Sequence, residues 1–212
     1  MKKAIVLAVA VVLAMYTAVF AGSKLVVDNT PDKNQASGGG WWYSYDDSSS
    51  GGNSKVTFTP GKMKGTTGNK LGWDYVGMGV TLGEKCGCYE GKGAVPVDLT
   101  GYSTLSFKIK GSISGGRLTL VIPYTPNECP KDATNPKSLT DYADFETALN
   151  TKLSKDGTTV KLDLRKDFTQ PKWAKKTFSI EEVLKNAHNI NFHCTSPDGD
   201  TVDIAVSDIV FE

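Results

Sequence analysis

Short stretches in which every second residue is apolar recur along most of the chain, and this pattern constrains the fold more than any other feature. Leu105, Phe107 and Ile109 alternate with Ser106, Lys108 and Lys110. Leu118, Leu120 and Ile122, then Val160, Leu162 and Leu164, then Val202, Ile204 and Val206 repeat the pattern. A period of two puts one apolar and one polar face on an extended strand. Further strands are expected at Lys24–Asp28, Trp41–Tyr45, Lys55–Pro60, Tyr75–Leu82, Asn189–Cys194 and Asp208–Phe211. Turn formers punctuate them at Ser48–Asn53, Gly65–Asn69, Gly83–Gly93, Asp156-Gly157 and Pro197–Asp200. Only Tyr142–Leu149 and Ile180–Ala187 read as helical, the second with a capping box from Ser179 and Glu182. Many short strands at this spacing imply an all-β chain of two packed sheets, a β-sandwich. No linker composition or repeat divides it, so residues 22–212 read as one domain.

The first 21 residues are of another kind. Lys2 and Lys3 precede the apolar run Ala4–Phe20, and Ala21 ends it with a small residue. That is the pattern of a secretory signal peptide, which places the remainder in an exported, secreted or surface compartment. The rest of the chain holds no second apolar span, so no membrane insertion is expected after its removal. With 24 basic and 23 acidic residues, the chain offers no charge footprint for nucleic acid.

The four cysteines, Cys86, Cys88, Cys129 and Cys194, all follow the leader. An even count in an exported chain predicts two disulfides, with Cys86 and Cys88 each reaching out to Cys129 or Cys194. The competing reading is a metal site from Cys86-Gly87-Cys88 with His193-Cys194, a spacing unlike the usual zinc patterns.

Aromatic residues concentrate in Trp41-Trp42-Tyr43-Ser44-Tyr45. Alternation puts Trp41, Tyr43 and Tyr45 on one face and Trp42 with Ser44 on the other, so one set packs inward and the other is exposed. Rigid exposed rings suit stacking against the apolar faces of sugars. Tyr75, Gly77, Gly79 and Thr81 form a second such face, in which two glycines leave room for a ligand to approach the backbone. Asn191 and His193 share the polar face of another strand. No G-x-S-x-G elbow, H-E-x-x-H pair or phosphate loop is present, and the carboxylates fall mostly in turns and on polar strand faces. The chain therefore reads as a binder rather than an enzyme.

Six segments in order resemble the family 11 carbohydrate-binding modules and related galactose-binding-like jelly rolls. They are Leu25–Asn29, the Gly39–Tyr43 stretch with its Asp46–Ser54 loop, Tyr75–Val80, Val97–Phe107, Thr169-Gln170-Pro171-Lys172-Trp173 and the closing Val202–Glu212. The resemblance implies a β-glucan ligand, cellulose or mixed-linkage, in a concave cleft, and a structural Ca2+ on the opposite side. It carries the ligand role to Tyr43, Tyr45, Tyr75 and Tyr124, and the calcium role to Asp28 and Asp208. Ser207 departs from the family pattern where a second acid is usual, as do the cysteines and the Thr125–Thr140 insertion. The expectation is non-catalytic polysaccharide binding by Trp41, Tyr43, Tyr45, Tyr75, Tyr124, Asn191 and His193, with cell-surface or plant-cell-wall-degrading proteins as further partners. An exported adhesion protein using the same sandwich for protein contacts is the alternative.

Overall fold

The computed structural model describes residues 23–88, 93–129 and 137–212; the expected signal peptide and the middle of the Thr125–Thr140 insertion lie outside them. Eleven strands form two antiparallel sheets among these residues. The first sheet joins β3 (Lys55–Thr59), β4 (Lys62–Thr66), β11 (Thr201–Phe211), β6 (Thr104–Ile113) and β9 (Thr158–Asp163) in that order, with β1 (Leu25–Asp28) also paired to β11. The second runs β2 (Trp42–Asp46), β5 (Tyr75–Thr81), β10 (Asn189–Thr195), β7 (Arg117–Ile122), β8 (Phe145–Ala148). The alternation seen in the sequence places Leu105, Phe107 and Ile109 inward from one sheet and Ile190, Phe192 and Cys194 inward from the other. Phe107 and Phe192 meet edge to face across the interface, centroids 5.4 Å apart. Their shared burial removes apolar surface from water along the whole length of the sandwich.

The helix expected at Ile180–Ala187 forms as α1 (Ile180–Lys185), with the full Ser179–Glu182 capping box. The helix expected at Tyr142–Leu149 does not form. Asp141 and Tyr142 take positive φ values of 54° and 67°, which end any right-handed helix, and the following residues pair with β7 as β8. β4 falls partly on the expected Gly65–Asn69 turn. It carries Met63 and Gly65 inward, too little apolar pattern to read, and Gly65 permits close contact with Val76. Val202–Val206 and Asp208–Phe211, expected as separate strands, are one strand joined by a bulge. Asp208 sits there at φ 54°, and the extra residue resets the phase so that Ile209 and Phe211 again face inward.

The cysteine expectation is half corrected. Cys88 and Cys129 form a disulfide, which ties the loop after β5 to the loop after β7. Cys86 and Cys194 are free and buried, so a second disulfide is absent. Cys194 lies opposite Val76 at one end of β5, whereas Cys86 follows Leu82 beyond the other end. At about 3.3 Å per residue the strand holds them far beyond bridging distance. The alternative metal set fails for the same reason, and His193 and Cys194 face opposite sides of β10.

Candidate functional site

The outer face of the second sheet is read most simply as cross-strand rows. Tyr43, Gly79, Asn191, Val121 and Glu146 stand side by side on five successive strands. The next row is Tyr45, Gly77, His193, Thr119 and Ala148, and beyond it come Tyr75, Thr195 and Arg117. Five residues expected from the sequence thus converge on one half of this face: Tyr43, Tyr45, Tyr75, Asn191 and His193.

The glycines do not leave an open trough, as the sequence suggested. A methyl group added at Gly77 would collide with the ring of Tyr45, and one at Gly79 with the ring of Tyr43 and the Asn191 amide. The two tyrosines therefore lie down across β5 and reach β10. Tyr43 Oη donates to Asn191 Oδ1 at 2.6 Å and accepts from Asn189 Nδ2 at 2.6 Å. Tyr45 Oη and His193 Nδ1 share a hydrogen bond of 3.2 Å. Burial of these hydroxyls pushes the Tyr43 and Tyr45 pKa values up. Burial, reinforced by the Arg117 charge, lowers His193 to about 4, so its imidazole is neutral over the physiological range.

The rings form one continuous surface. Tyr43 and Tyr45 centroids lie 6.2 Å apart, Tyr45 and Tyr75 6.0 Å, and Tyr75 stacks on Trp73 at 6.1 Å with 21° between planes. His193 lies within 5.8 Å of Tyr45 and 5.2 Å of Tyr75. Trp73 was not anticipated. It sits in a Gly-rich turn without strand alternation, and only the fold brings it, 51% exposed, to the end of the row. Its loop is held from below: Asp74 accepts the backbone N–H groups of Lys70, Leu71 and Gly72, and buried Asp47 accepts from Tyr75 N, Ser54 N and the Ser54 hydroxyl.

Beside the rings the face turns polar. Arg117 Nη1 donates to Glu146 at 2.6 Å on the β7–β8 side. Two expected residues stand apart. Trp41, 44% exposed, precedes β2 and is outside the ring contacts that join the tyrosines. Tyr124 packs against the core and meets Phe178 edge to face at 4.9 Å, which makes it a packing residue. A hollow of about 450 Å3 lies elsewhere, at residues 151–161, lined mainly by Lys, Ser and Thr without a ring.

The two aspartates that the resemblance associates with calcium do not converge. Asp28 is buried and faces inward, where its carboxylate accepts from Trp42 Nε1 at 2.5 Å and from the N–H groups of Thr30 and Ser37. Asp208 faces the other side of the sheet, 3.1 Å from Lys108 Nζ. Each carboxylate is thus engaged with neighbours of its own, whereas a calcium ion takes six to eight converging oxygens.

No family model matches the chain, and no curated protein does. Solved structures do. The family 11 carbohydrate-binding module of a cellulosomal cellulase of Clostridium thermocellum superposes with a TM-score of 0.52 at 15% identity, over 90% of this chain and 95% of that one. A family 30 module of another cellulosomal cellulase of the same organism gives 0.46 at 16% identity, over 90% of this chain and 97% of that one. At such identity the likeness speaks for architecture: the chain has the jelly-roll β-sandwich fold of the family 11 carbohydrate-binding modules.

Proposed function

We propose that the outer face of the β2-β5-β10-β7-β8 sheet binds polysaccharide without catalysis, with a β-glucan chain as the ligand class. The observation that carries this reading is the run of half-buried rings Tyr43, Tyr45, His193 and Tyr75 on the outer face of one sheet, continued by exposed Trp73 on the adjoining turn. A sugar chain is flat, with apolar ring faces and hydroxyl edges. Aromatic rings meet the faces, and the amides of Asn189 and Asn191 with the Arg117–Glu146 pair meet the edges. The jelly-roll fold is consistent with such a role but does not decide it, since sandwiches host many functions. The disulfide suits an exported protein, and among the described residues no helix is long and apolar enough to cross a membrane.

The test is affinity electrophoresis in soluble mixed-linkage β-glucan with melting curves alongside. Tyr75→Ala should weaken binding by about 1–3 kcal/mol, the range for losing one stacking platform, with the melt little changed. If no glucan retards the wild type, the face serves protein adhesion instead; if Tyr75→Ala binds like wild type, the contact lies elsewhere.

A further inference from the structure

Beyond β8 the sheet face continues into a loop with a composition of its own. Thr169 pairs with Glu146 through two backbone hydrogen bonds of 3.0 and 3.1 Å, so residues 169–178 extend directly from the edge of the aromatic sheet. Gln170 staples this loop. Its Nε2 donates to Lys176 O at 2.7 Å and its Oε1 accepts from Phe178 N at 3.2 Å, while Ala174 N closes a turn onto Pro171 O. Phe178 anchors the base on Tyr124. At the tip Trp173 stands 63% exposed, flanked by Lys172, Lys175 and Lys176, with no acidic residue between Phe168 and Phe178.

A second loop leans against it. Asp141 makes an ion pair of 3.7 Å with Lys176, and Tyr142 beside it is 72% exposed. Ser138 Oγ and Thr140 Oγ1 donate to the buried Asp144 carboxylate, and Tyr142 N donates to Ser138 Oγ, which holds the left-handed turn in place. Exposed Tyr142 thus stands on the loop that the Asp141–Lys176 pair joins to the Trp173 loop, whose tip is basic.

Resting on the polysaccharide reading above, we infer that Trp173 with Lys172 and Lys175 forms a second contact site on the same ligand, and that this site selects an acidic glycan, one bearing carboxylates such as uronic acid residues. A stapled loop holds a tryptophan with most of its surface exposed, which fits a stacking platform. The lysines around it complement a carboxylate on the sugar stacked there, and the charge is local because the whole chain is close to neutral. A lone tryptophan offers too little apolar area to hold a lipid surface; a sugar ring is matched in size.

The experiment measures retardation of the full exported chain in gels containing polygalacturonate or neutral mixed-linkage β-glucan, at low and high salt. Wild type should bind polygalacturonate more tightly, and salt should erode that preference. Trp173→Ala should lose about tenfold or more on polygalacturonate, the order of one stacked ring. Lys172→Gln with Lys175→Gln should lose the salt dependence, whereas Lys55→Gln with Lys62→Gln, the same charge change on the opposite sheet, should behave as wild type. If neutral glucan binds and polygalacturonate does not, the inference falls while the polysaccharide reading stands. If neither binds, the polysaccharide reading falls and takes the inference with it. If the opposite-sheet variant loses as much as the loop variant, or if anionic phosphatidylserine vesicles capture the chain through Trp173, the assignment to an acidic glycan is overturned.

Discussion

The two sheets supply equivalent inner faces to one core and opposite kinds of outer face. Outward from β3, β4, β6 and β9 stand Lys55, Lys62, Lys64, Lys108, Lys110 and Lys161, several paired with Asp203, Asp208 or Glu212. Charged side chains on and near an edge strand such as β3 also discourage pairing with other chains. Outward from β2, β5 and β10 stand rings, amides and two glycines. The same period-two pattern and the same sandwich thus yield a lysine-rich face and an aromatic face. The difference lies wholly in the residues that the fold does not need for its core.

If that division holds, adding bulk to the two outer faces should have unequal results. Gly77→Val drives a side chain into the Tyr45 ring and should cost about 1–3 kcal/mol of stability, as overpacking does, together with most of the binding. Lys110→Val on the lysine face should stay within about 0.5 kcal/mol of wild type. Chemical denaturation of both variants checks it, and equal effects would erase the distinction between the faces.

Acid should probe the aromatic face and its neighbourhood selectively. His193 is lowered by burial and then by the Arg117 charge, and buried His188, bonded through Nδ1 to Thr125 Oγ1 at 3.2 Å, is lowered by burial. The folded state therefore holds these imidazoles neutral where the unfolded chain would already bind protons. Their contribution is complete above the unfolded value of about 6.5 and is lost as pH falls towards about 4 for His193. Melting temperature should decline over that window, and His193→Gln should flatten part of the decline. A profile unchanged by that substitution would show that the ring is not held neutral on this face.

The smallest effect is expected on the lysine-bearing sheet. Asp28 is satisfied by Trp42 and two backbone groups, and Asp208 by Lys108, so a chelator should leave the melting temperature where it was. A fall on chelation that calcium reverses and Asp208→Ala abolishes would restore the ion implied by the resemblance, because a ligand bound only to the folded state stabilises it.

The strands were legible because burial on one face writes itself as alternation, as in Leu118–Ile122 and Asn189–Cys194. β8 was misread because Phe145 and Leu149 also suit a helical spacing, and only pairing with β7 decides between them. Tyr43 and Tyr45 were legible as sharing one strand face and Tyr75 and His193 as lying on the exposed or polar faces of theirs; burial of Trp42 decides which face of β2 is outward, and the convergence follows from the strand order. Trp73 and Trp173 ride on loops, where no periodicity reports direction. Cys86 and Cys194 misled because parity of count carries no distance.

The tyrosines resting on Gly77 and Gly79 bear on how binding is divided between folding and recognition. A side chain fixed on arrival of a ligand gives up rotational freedom at that moment, and the affinity falls accordingly. Tyr43 and Tyr45 are already clamped between bare backbone below and partners on β10 beside them. Their disorder was surrendered when the chain folded. A ligand laid on such a floor meets a surface with little left to freeze, so contact can proceed as docking onto a finished shape, without rearrangement of the floor.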